Sequence, residues 1–209
     1  MSSSKYIQVI EDINRELRTS ELSDNIGLHA GTSGIALFIA YYDRIINHKT
    51  EVSQRVMDIM ENNVKRINEG FRKHTICNGI SGFGWLCEHL RKLEMLNETD
   101  IEFLDDLDPF LYRMMIADIQ SGKYDFLHGA LGVGTYFLSR FYKKEVHTYL
   151  EELLSELENS GIPCGDGAIK WISELIAETG RKGFNICLSH GMSSIVAFLI
   201  RLHQLNFET

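Results

Sequence analysis

The sequence predicts an all-α protein: a single domain over residues 1–209 in which four helical hairpins form an α/α toroid-like array, an incomplete ring. Three observations predict it. A glycine-centred motif occurs four times, as Leu28-His29-Ala30-Gly31-Thr32-Ser33-Gly34, Ile76-Cys77-Asn78-Gly79-Ile80-Ser81-Gly82, Leu127-His128-Gly129-Ala130-Leu131-Gly132 and Leu188-Ser189-His190-Gly191-Met192-Ser193-Ser194. Their first glycines lie 48, 50 and 62 residues apart, and a repeat of that length carrying two helical segments marks an array of helical hairpins. Only two prolines, Pro109 and Pro163, interrupt the chain, and strictly alternating β-branched runs are scarce. Finally, amphipathic segments alternate with segments that are apolar all round, as outer and inner helices do. Periodicity cannot say whether the ring closes, so an α-solenoid is the alternative.

The elements follow in chain order. Residues 4–20 place Tyr6, Ile7, Ile10, Ile13 and Leu17 at helical spacing against a charged remainder, an amphipathic outer helix. Residues 32–47 are apolar on every side, an inner helix. The pair recurs as an amphipathic helix over 51–69, with Val52, Val56, Ile59, Met60, Val64 and Ile67 inward, and an apolar one over 80–96. The third pair spans 99–119 and 130–142, with Pro109 either kinking or splitting its outer member. The fourth outer helix covers 144–159. The fourth interval is 12 residues longer than the third, and the excess falls in the Gly- and Pro-rich loop 161–167. Residues 171–179 are read as a short helix in preference to a strand, and a last inner helix spans 192–205. The aromatic set that includes Phe38, Tyr41, Phe83, Trp85, Tyr136 and Phe198 follows inner-helix spacing and reads as core.

Glycine at each inner-helix entrance lets another chain segment approach closely, while the free amides of the first turn point outward with partial positive charge. Such an entrance suits tight packing and suits a polar ligand equally. Four in register favour a shared rim. On that rim stand Asp125, His190, His29 and His128. Asp125 can cap the following helix or bind turn amides, and His190 can be a satisfied turn histidine; both are also acid/base candidates. Cys187 and His190 make a Cys-x-x-His spacing that, with Cys77, would offer zinc donors. Structural thiols are the stronger reading, and all four cysteines are expected to be reduced.

Net charge −8 and a pI near 5.5 argue against nucleic acid, which needs a clustered basic face. No signal-peptide core or membrane-length apolar stretch occurs, so a cytoplasmic protein is expected. Paired carboxylates of a glycosidase are poorly represented by Asp125 and Asp166 alone.

The motifs Leu28-His29-Ala30-Gly31-Thr32-Ser33-Gly34, Tyr124-Asp125-Phe126-Leu127-His128-Gly129 and Asn185 to Met192 resemble those of the lanthionine synthetase C-like proteins, the cyclases of lanthipeptide (lantibiotic) biosynthesis. The resemblance implies an α/α toroid whose inner-helix entrances surround a zinc site. There, zinc activates a peptide cysteine for addition to dehydroalanine or dehydrobutyrine. Asp125 matches the family's motif Asp and His190 its motif His, which implies proton-handling, catalytic roles; His29 and His128 would line the substrate rim. The family's zinc ligands, a Cys in a Trp-Cys-Tyr-Gly-like stretch and a Cys-His pair, have no counterpart. Neither Trp85 nor Trp171 precedes a Cys, and no Cys-His dipeptide occurs. The expectation is therefore thioether-forming activity on a precursor peptide, incomplete without later repeats. Expected partners are that peptide, a dehydratase or a second chain completing the barrel, and a second copy in a homodimer. A non-catalytic helical scaffold that binds a peptide or partner enzyme is the alternative.

Overall fold

The computed structural model describes residues 3–176 and 181–207. Eight α-helices occur among the described residues: α1 (Ser3–Thr19), α2 (Thr32–Ile45), α3 (Gln54–Asn68), α4 (Ile80–Lys92), α5 (Leu104–Gln120), α6 (Ala130–Ser139), α7 (Lys144–Asn159) and α8 (Met192–Gln204). The inner helices α2, α4, α6 and α8 pack in chain order, while α3, α5 and α7 lie against their outer sides. Phe83 and Leu86 of α4 and Val133, Tyr136 and Phe137 of α6 are fully buried between the two layers. The approach of α4 to α6 is close because Gly84 carries no side chain: a Cβ there would collide with the Tyr136 ring.

The outer helix of the third pair is divided, but not at Pro109. A 3-10 turn, Glu98–Ile101, closed by a reciprocal Asn97–Asp100 capping box, precedes α5, and Pro109 lies within α5 one turn past its start. At the N-terminus, α1 docks through one edge only. Asn14 is buried, Leu17 packs on the core and Arg18 reaches the buried Asp43, while Tyr6, Ile7, Ile10 and Ile13 remain exposed. At the other end of the array, Val196, Leu199 and Ile200 of α8 are likewise exposed. The first and last described helices thus each carry exposed apolar side chains.

The helix expected over 171–179 is not formed. The inserted segment makes two antiparallel hairpins, β1 (Ile162–Pro163) with β2 (Ile169–Lys170) and β3 (Ser173–Ile176) with β4 (Arg181–Gly183). Residues 177–179 of that expectation lie outside the described residues. The physical reason is the anchoring of Trp171. Its indole N–H donates to the Leu157 carbonyl at 2.9 Å and its amide meets Met192 Sδ at 3.4 Å, which holds the chain extended between α7 and α8. Among the described residues, no helix is long and apolar enough to cross a membrane.

Candidate functional site

The four glycine motifs fold into the same loop. In each, the first amide of the inner helix donates to the carbonyl seven residues earlier: Thr32 to Asn25, Ile80 to Lys73, Ala130 to Lys123 and Met192 to Asn185, at 2.8–3.1 Å. Closing a loop that tightly brings its backbone against the motif glycine. A Cβ at Gly79, Gly129 or Gly191 would strike the carbonyl oxygen six residues before it, so glycine is dictated by close approach. Adjacent loops are then joined by backbone hydrogen bonds: Leu28 to Ile76, His29 to Cys77, Cys77 to Leu127, and Phe126 to Ser189. This ladder sets the four entrances side by side on one face.

Repeat register places equivalent residues together. Position −4 from the first glycine is Asp125 in the third copy and Cys187 in the fourth; position −1 is His128 and His190. In both copies the −4 side chain accepts the −1 amide, His128 N to Asp125 Oδ1 at 2.9 Å and His190 N to Cys187 Sγ at 3.3 Å. Asp125 Oδ1 also accepts Leu127 N at 3.0 Å, so the turn-binding reading of Asp125 is correct. What sets Asp125 apart is a third contact across the repeat boundary, with His190 Nδ1 at 3.2 Å. A carboxylate only accepts, so this contact puts a proton on Nδ1, and in the neutral ring Nε2 then keeps its lone pair.

The site is half open. The His190 side chain is 46% exposed and that of Asp125 20%. His128 stacks on His190 with centroids 5.7 Å apart, and His29 meets the edge of Phe126 at 6.0 Å. Asp125, His128 and His190 therefore form one group, with His29 on the neighbouring loop. Cys77 lies beneath them; burial pushes its thiol up and the Asp125 charge adds to the rise. All four cysteines are free thiols, with Cys77 and Cys87 buried and Cys164 and Cys187 exposed. Tyr124, whose hydroxyl meets Ser173 Oγ, ties the inserted hairpins to the rim, and burial raises its pKa. The pairing of Cys187 with Asp125 as equivalent positions was readable from the motif alignment, whereas the Tyr124–Ser173 contact has no local spacing to betray it.

Zinc does not fit this residue set. Among the described residues, no group of three or more His, Cys, Asp and Glu side chains is arranged to hold a metal ion. Cys77, Cys187 and His190 are accordingly not brought together as a three-donor set.

Beside the rim, a cavity of about 930 Å³, open to solvent, lies between the inner helices, and His29, Phe126 and Leu188 of the entrance loops line it. A sequence profile described as "Lanthionine synthetase C-like protein" matches residues 23–207. Among solved structures, one titled "Nisin cyclase" is similar over 99% of this chain at 18% identity, with a TM-score of 0.73. This chain spans 55% of the length of that one, and the likeness establishes the α/α fold. No curated protein matches. With the profile covering most of the chain and the fold in agreement, the protein belongs to the lanthionine synthetase C-like family.

Proposed function

We propose that this chain contributes the proton-handling part of a lanthionine cyclase site, acting on a precursor peptide that carries cysteine and dehydroalanine or dehydrobutyrine. The observation that carries the reading is the 3.2 Å contact between His190 Nδ1 and Asp125 Oδ1. In the reaction the peptide sulfur bonds to the alkene β-carbon, the π electrons move toward the carbonyl as an enolate, and a proton must be added at the α-carbon. His190 Nε2 takes the thiol proton and returns a proton to that carbon, so the step is balanced without a co-reactant. Asp125 keeps the imidazole in the required tautomer and steadies its charged form. His128 and His29 line the approach. The family's zinc would lower the thiol pKa, and no step here is routed through it.

The test is ring closure on a synthetic peptide bearing one cysteine and one dehydroalanine, followed by loss of free thiol in mass spectrometry. His190→Ala and Asp125→Asn are expected to slow it by roughly 10²–10⁴-fold. Equal rates for these variants and the parent would end the proposal. The exposed apolar faces of α1 and α8 favour a second reading, a scaffold docked by a dehydratase, by a second chain or by another copy. Light scattering that shows a clean monomer at high concentration would count against self-association.

A further inference from the structure

The cavity between the inner helices runs away from the rim and ends on cations. Lys92, at the end of α4, and Arg201 and Gln204, at the end of α8, form its far wall. Among the described residues neither Lys92 nor Arg201 has a carboxylate within ion-pair distance, in a protein of net charge −8. The nearest acid, Glu88, is engaged by Arg91, Arg140 and the Tyr142 hydroxyl. Desolvation and the positive charges of Arg91 and Arg201 lower the pKa of Lys92, against the pull of Glu88. Two cations thus crowd one end of a mostly apolar chamber, and an anion placed between them would relieve both.

The distance fixes what that anion belongs to. Arg201 stands ten residues after Gly191 and Lys92 thirteen after Gly79, which at about 1.5 Å per helical residue is about 15–20 Å from the entrances. An extended peptide covers about 3.3–3.6 Å per residue, so about five residues bridge the two ends. We infer that the chamber binds the peptide substrate beside its reacting residue and that Lys92 and Arg201 select an acidic side chain about five positions from the cysteine. This inference rests on the proposed function, because His29, Phe126 and Leu188 of the cavity wall belong to the same entrance loops as Asp125 and His190.

The test uses fluorescence anisotropy with the labelled hexapeptide amide Cys-Ala-Leu-Ala-Leu-Glu and the whole chain. Changing Glu to Gln, or moving it next to Cys, is expected to weaken binding about 5–10-fold, and so is the double variant Lys92→Glu with Arg201→Glu. That variant should prefer the Lys-ended peptide, a gain that also shows it is folded. Equal affinities for Glu and Gln peptides, or no switch in the charge-reversed variant, would overturn the inference. So would competition by acetylglutamate as strong as that by the hexapeptide, since only a small carboxylate would then be recognised. Ring closure that needs His190 while the charge swap fails would sink this inference alone; a working swap with His190-independent ring closure would sink the proposed chemistry alone.

Discussion

At the entrance of the array, Asp125 and His190 face each other half in solvent, with one carboxylate oxygen serving three donors. At the opposite end of α6, Arg140 is 1% exposed and bonded to Glu88 at 2.8 Å, to Asp108 at 3.0 Å and to Asp105. Tyr136 donates a further bond to Asp108 at 2.5 Å, and Tyr142 donates to Glu88 at 2.9 Å. Burial pushes the Tyr142 hydroxyl up to about 12, with the Glu88 bond adding to it. The same residue chemistry is therefore used in two ways. Arg140, Glu88 and Asp108 are tied to one another out of water, while His190 has one ring nitrogen held and its side chain open to solvent.

The largest expected difference between the ends is in stability. Arg140→Met leaves Asp108 buried without its cation and Glu88 with Arg91 alone, and should cost about 3–5 kcal/mol in denaturant unfolding. Gly82→Ala comes next. Alanine in a helix normally gains up to about 1 kcal/mol over glycine, but a Cβ here would strike the Ile76 carbonyl and the Leu28 amide, so a net loss of about 1–3 kcal/mol is expected. A third test is pH. Burial would raise the Asp43 carboxyl, but hydrogen bonds from Arg18, Asn47 and Ser53 outweigh it and hold the pKa below its ordinary value. A lowered folded-state pKa gives stability that is present above about pH 4 and lost as pH falls through the folded value. Asp43→Asn should therefore show a shallower acid-side decline than the parent in thermal melts below pH 4. The smallest effect belongs to the entrance: His190→Ala should change unfolding free energy by no more than about 0.5 kcal/mol while abolishing most activity.

Much of the fold was legible because the glycines are forced by local geometry. A loop that closes on the helix's own first amide leaves no room for a Cβ, and that constraint repeats with the hairpin. The fourth copy tolerates Ser194 because its hydroxyl turns back to the Gly191 carbonyl at 2.7 Å, and the Asn185–Met192 closure survives. The Asp125–His190 meeting follows from the same register, since −4 and −1 positions of adjacent loops become neighbours. The hairpins over 162–183 were missed because Trp171's hold on α7 and α8 is tertiary and leaves no periodic trace. Arg140 and its acids were missed for a related reason: Glu88, Asp105 and Asp108 lie 32–52 residues from it along the chain. The exposure of α1's apolar stripe depends on what stands beside it, which no spacing within the helix records.

The most direct measurement of the proposed proton transfer is ring closure in D₂O, with the configuration of the newly formed α-carbon read by chiral analysis of the hydrolysed thioether. If His190, held by Asp125, delivers the proton, the parent chain should place deuterium at that carbon in a single configuration. His190→Ala should react slowly and yield both epimers. A single configuration and an undiminished rate in His190→Ala would contradict the assignment of His190 as the group that protonates carbon.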